Sequence, residues 1–192
     1  MSGRATFVTT AVIVTLTVAL DQITKWYVYT QLVENVDEIP VIPGFFSIVH
    51  AQNPGAAMGM LSTYEYRYVV FLVFTVIAVV VIVDMWRKLH PTDRFTAFIL
   101  GLILSGAVGN GIDRVHKQTV TDFLRVYTEV PSLKMWLIET FGTNEWPSFN
   151  VADSALVVGV ALFFVQYLFF EGDKDESEEA AALSENEDPE TA

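Results

Sequence analysis

Four long apolar runs constrain this chain more than any other feature of its sequence. They extend from Phe7 to Leu20, from Tyr66 to Trp86, from Phe95 to about Val108 and from about Val151 to Phe170. A helix that crosses the hydrocarbon of a bilayer needs about 20 mostly apolar residues. The composition agrees, with 52% of the 192 residues hydrophobic and a mean hydropathy of +0.41. The first run follows a single base, Arg4, and by itself has the look of a secretory signal core. No small-x-small cleavage site follows it, however, and the helical pattern continues through Ile23, Trp26, Tyr27 and Val28, so we read it as a retained span. Aromatic residues such as Trp26, Tyr66, Trp86, Trp146 and Tyr167 flank several ends, where rings sit at headgroup level. The prediction is an all-α membrane protein with four transmembrane helices.

Charge orients the bundle. The formal charge of −12 is uneven, because residues 171–192 hold ten acids and one base. That segment lacks the apolar content to fold, so the chain divides into a membrane domain, 1–170, and a disordered acidic tail, 171–192. Arg4 precedes the first span, and Arg87, Lys88 and Arg94 crowd the connection between the second and third. Bases in short loops mark the cytoplasmic side while acids count little, which places both termini and the tail in the cytoplasm. The connections 29–65 and 115–150 then lie outside. No basic stripe is available for phosphates, which excludes a nucleic-acid partner. The chain has no cysteine, which removes disulfides, thiolate metal sites and cysteine nucleophiles.

Ionisable side chains near the hydrocarbon are costly and each needs a reason. On this topology Asp21, Lys25, Asn110, Asp113, Arg114 and Asp153 all fall at the outer ends of their helices, and Asn53 lies in the outer connection. Asp21 and Lys25, four apart with the acid first, suit an ion pair, but Lys25 is better read as an anchor snorkelling to the headgroups. Asn110, Asp113 and Arg114 share a helix face. Arg114 has an outer carboxylate as one option, and for Asp113 and Arg114 a structural polar cap is the preferred reading. The Asn53-Pro54-Gly55-Ala56-Ala57 segment reads as a turn or as a surface where Gly55 and Ala56 admit another backbone. Asp122 and Asp153 have apolar neighbours and no base on an obvious shared face except Arg125. Two carboxylates in a partly dry site share a proton, supplying a general base and a general acid. Spacing alone leaves that reading level with two separate surface aspartates. The three histidines are scattered, with His90 across the membrane from His50 and His116, so no metal or cofactor is expected.

Taken in order, Asp21-Gln22-Ile23-Thr24-Lys25, Asn53-Pro54-Gly55-Ala56-Ala57, Gly109-Asn110-Gly111-Ile112-Asp113-Arg114, Val120-Thr121-Asp122-Phe123 and Phe149-Asn150-Val151-Ala152-Asp153 resemble the lipoprotein signal peptidase family, membrane aspartic peptidases also called signal peptidase II. The resemblance spans residue 7 to about residue 170. It implies a four-helix bundle with an extracytoplasmic β-rich cradle, in the bacterial cytoplasmic membrane, with the active site at the outer face. It implies cleavage of prolipoproteins before a diacylglyceryl-modified cysteine, by a monomer working among membrane lipids. Asp122 and Asp153 match the catalytic pair; Asp21, Lys25, Asn53, Asn110, Arg114 and Asn150 match supporting positions, and Asp113 moves into that group. Met58 stands where a phenylalanine is common, and Pro131 to Ser148 lengthens the segment between the aspartates, as an amphipathic piece on the membrane surface. Two readings from other classes are a small proton-linked transporter and a non-catalytic assembly subunit.

Overall fold

A computed structural model of the chain describes residues 3–55 and 66–171. Ala56 and Met58, singled out above, lie outside the described residues, as does the tail beyond Glu171. Among the described residues, four helices are long and apolar enough to cross a membrane, over Ala5–Gln31, Tyr68–Arg87, Arg94–Lys117 and Val151–Phe169. They belong to α1 (Gly3–Gln31), α2 (Arg67–Arg87), α3 (Arg94–Lys117) and α5 (Val151–Gln166), the last followed by a π-helical turn over Tyr167–Glu171. Side chains such as Val73, Phe74, Ile77 and Val80 of α2 are exposed, as expected where lipid rather than protein covers the helix.

The third span runs further than its apolar run indicated. The polar stretch after Val108 stays helical to Lys117, where Gln118 adopts a left-handed conformation (φ 61°) and ends α3. This helix is the centre of the bundle, packing against α1, α2 and α5. Small residues allow the approach, most clearly at Gly109. A Cβ there would lie 2.7 Å from Asp21 Oδ2 and 3.0 Å from the Ala152 Cβ.

The two longer connections meet in one antiparallel sheet of order β1-β2-β3, made of β1 (Glu38–Ile42), β2 (Phe46–Asn53) and β3 (Val120–Val126). This is the β-rich element that the resemblance implied. Its register carries a bulge: Ile48 pairs with Leu124 but Ala51 with Asp122, so β2 holds one extra residue at Val49–His50. A fifth helix, α4 (Pro131–Phe141), starts with proline in its first turn, ends at Gly142 (φ 78°) and has no buried residue. It occupies the long segment between the aspartates.

Candidate active site

The polar residues gather at one end of the bundle, beneath the sheet. Lys25 is 1% exposed, so the expectation that it snorkels to the headgroups is wrong. Its ammonium lies 2.9 Å from Asp21 and 3.3 Å from Asp113 and donates to Asn110 Oδ1 at 2.9 Å. Two carboxylates and an amide inside the helix interface surround the ammonium, which makes a buried position better than the headgroup layer. The anticipated i,i+4 pair with Asp21 is present within this cluster.

Asp21 also reaches across the bundle, its Oδ1 accepting from the Ala152 backbone N–H at 2.9 Å. Gln22 donates to Asp21 Oδ2 and to the Gly109 carbonyl. Asp113 accepts from the Thr121 N–H at 3.0 Å, which secures the turn from α3 into β3. Asp113 is thus both a tether between α3 and β3 and an ion-pair partner.

Asp122 and Asp153 come from different elements and are joined by two asparagines. Asn150 Nδ2 donates to Asp122 Oδ1 at 2.7 Å and to Asn110 Oδ1 at 3.1 Å. Asn110 Nδ2 in turn donates to Asp153 Oδ1 at 2.7 Å. The same Asn150 caps α5, accepting from the Asp153 N–H while Asp153 Oδ2 accepts from the Asn150 N–H, a capping box. Asp153 therefore sits in the first turn, where the positive end of the helix favours a carboxylate. Asp122 is 2% exposed, whereas Asp153 is half-buried.

Asn53 joins the site from β2, donating to Asp122 Oδ2 at 2.9 Å, while its own Oδ1 accepts from the Gly55 N–H. Gly55 adopts φ +89°, and a side chain there would collide with the Phe71 ring; glycine is required by both turn and contact. Arg114 departs from one expectation. Among the described residues it makes no ion pair, and its guanidinium stacks over Phe71 with 5.4 Å to the ring centroid. Arg125 turns away from Asp122 and pairs with Glu38 and Glu145. Gln22, Gln52 and Thr121 were missed, since neutral side chains give no signal in sequence beyond standing next to charged ones.

Burial pushes the Asp122 carboxyl up from an ordinary 3.8 to about 7. The hydrogen bond from Asn53 opposes this, the nearby Asp153 charge adds to it, and the bond from Asn150 and the Lys25 charge oppose it. A buried acid that keeps its proton near neutrality, linked through amides to a second carboxylate at a helix N-terminus, has the parts of an acid–base pair.

The chain matches the family model described as signal peptidase (SPase) II over residues 13–169. The chain belongs to the signal peptidase II family. Among curated relatives, the lipoprotein signal peptidase of Geobacter metallireducens is 43% identical over 152 residues, covering 79% of this chain and 85% of the relative. That of Geobacillus kaustophilus is 44% identical over 155 residues, covering 80% and 88%. A solved bacterial membrane enzyme, determined by the in meso method, superposes with a TM-score of 0.69 at 31% identity, over 84% of this chain and 94% of its own. A second gives 0.68 at 29% identity, over 96% and 94%. Membership of the signal peptidase II family leaves the transporter and assembly-subunit readings without support.

Proposed function

We propose that this chain removes the signal peptide from bacterial prolipoproteins, cutting before the diacylglyceryl-modified cysteine, with Asp122 and Asp153 as the catalytic pair. The observation that carries the assignment is the amide bridge Asp122–Asn150–Asn110–Asp153, which ties two carboxylates from separate elements into one unit. Asp153, at the helix N-terminus, takes the proton of the attacking water. Asp122, protonated, hydrogen-bonds the scissile carbonyl oxygen, and as the tetrahedral intermediate collapses a proton passes to the leaving amine. Asn53, Asn110 and Asn150 hold the carboxyls. The Lys25–Asp21–Asp113 cluster keeps α1, α3 and β3 in register beneath them, and Gly55, just after β2, shapes the approach to the site. Arg114, stacked on Phe71, serves as a cation beside the pair.

Both termini are cytoplasmic in this reading, the pair lies at the outer face, and the chain works as a monomer among lipids. The exposed apolar side chains of α4 (Met135, Trp136, Ile138 and Phe141) rest on the outer leaflet. Asp122→Asn and Asp153→Asn, each assayed on a purified lipid-modified precursor peptide in bilayers, test the pair. Loss of an acid–base group costs about 10²–10⁴-fold in rate, and wild-type cleavage by either variant would mean that the chemistry lies elsewhere. The absence of native cysteines lets a single cysteine at His116 or at His90 report sidedness, with only the former open to an impermeant maleimide from outside.

A further inference from the structure

The face of the sheet opposite Asp122 carries a second polar set that the reaction does not touch. Successive side chains of a strand point to opposite faces. Asp122 and Asn53 meet on one face, and Gln52 and Thr121, partners in the β2–β3 register, meet on the other. Gln52 Nε2 lies 2.8 Å from His50 Nε2 and donates to Thr121 Oγ1 at 3.2 Å. Gln52 Oε1 accepts from Thr119 Oγ1 at 2.8 Å. His50 Nδ1 lies 2.9 Å from the Leu32 carbonyl oxygen.

For a neutral His50 these contacts permit one assignment. A carbonyl only accepts, so His50 Nδ1 carries the proton and Nε2 is a lone pair that needs a donor. The Gln52 amide supplies it and cannot flip without facing acceptor to acceptor. His50 is 4% exposed and Thr121 is fully buried. Thr121 is also held through its N–H by Asp113 and through its carbonyl by Asn150.

The place of this set matters because of the bulge. The extra residue at Val49–His50 sits immediately before the pairs that position Asp122, and a slip of one residue turns every side chain of a strand to the other face. We propose that Gln52, oriented by His50, is a positioning residue: by bonding Thr121 and Thr119 behind the sheet it locks the register after the bulge and aims Asp122 at Asn53 and Asn150.

The inference rests on Asp122 belonging to the catalytic pair, so Asp122→Asn is assayed beside it. The full chain in bilayer nanodiscs is given a lipid-modified precursor peptide. Gln52→Ala and the isosteric Gln52→Glu, which removes the donor without changing size, are compared with wild type. A catalytic group displaced by 1 Å costs about 100-fold; we expect kcat to fall at least about tenfold in both on that scale, with KM within about twofold. The alkaline limb of the rate profile moves upward, because a misdirected Asp122 loses the amide donors that favour its ionised form. Thr121→Val behaves in the same way, and Thr121→Ser, which keeps the hydroxyl, restores most of the lost rate. Wild-type kcat in Gln52→Glu with an inactive Asp122→Asn overturns the positioning role and leaves the pair standing. A fall in kcat that only tracks the folded fraction, with an unshifted pH profile, also overturns it. Wild-type cleavage by Asp122→Asn instead removes the pair on which the inference rests.

Discussion

At the end of the bundle beneath the sheet, α1, α3 and α5 are joined by charges: Lys25 between Asp21 and Asp113, and Asp21 on the Ala152 N–H. At the other end the same three helices are joined by neutral groups. Thr10 Oγ1 donates to the Ala97 carbonyl at 3.0 Å, and Gln166 Nε2 donates to Thr96 Oγ1 at 2.7 Å. Hydroxyls and amides hold helices together in a membrane at modest cost, so adhesion alone does not explain three buried charges. Under the proposed function the charged end has a further task. It must hold two carboxylates from α5 and β3 at fixed separation, and a network with one cation between two acids is stiffer than a pair of neutral bonds.

Four substitutions break or sharpen this contrast. The largest effect belongs to Lys25→Met, which leaves Asp21 buried without its cation and Asp113 with only Lys117, 3.7 Å away. Breaking one partner of a buried ion pair costs about 3–5 kcal/mol, to be read from unfolding in detergent; a loss below about 1 kcal/mol, the scale of an exposed pair, would remove the distinction between the two ends. Next is Gly109→Ala, whose Cβ would press on Asp21 Oδ2 and Ala152. Overpacking of this kind costs about 1–3 kcal/mol, and the displaced Asp21 slows cleavage as well. An unchanged melting temperature and rate would show that α3 has more room than the geometry allows.

Asn53→Ala probes the pair itself. Asp122 holds its proton up to about 7 and Asn53 opposes that shift, so removing the amide moves the alkaline limb of the rate profile to higher pH. A downward move would mean that Asn53 favours the protonated form. The same proton sets the direction of stability. The folded chain binds it up to about 7, whereas an unfolded aspartate releases it near 3.8, so this group's contribution falls as pH rises between those values. Denaturant titrations at several pH values, with Asp122→Asn as reference, measure that slope. The smallest effect is expected at the neutral end, where Thr10→Val removes one hydrogen bond worth about 0.5–1.5 kcal/mol and leaves cleavage at the wild-type rate. Slowed cleavage there would show that the two ends are coupled.

Much of this architecture was legible from residue order. The four spans follow from the length and apolarity of their runs, and the costly residues Asp21, Asn110, Asp113 and Asp153 announced a polar layer because ions near hydrocarbon are expensive. Lys25 shows where such reading fails. A lysine at a helix end has two good destinations, headgroups or a carboxylate nest, and local spacing does not reveal Asp113 on the facing helix. Arg114 and Arg125 fail in the same way, since the partners of a long cation are chosen by the elements that surround it.

By itself the sequence determined that the chain crosses a membrane four times, that its acids and amides fall at shared helix ends, and through its ordered motifs which family it joins. These are properties of local composition and spacing. Only the tertiary structure decided that Asp122 and Asp153 are one unit. Their link runs through Asn150 and Asn110, and it requires α3, α5 and a bulged β2–β3 register to come together. Each of those contacts joins residues far apart in the chain, where sequence separation carries no information about distance.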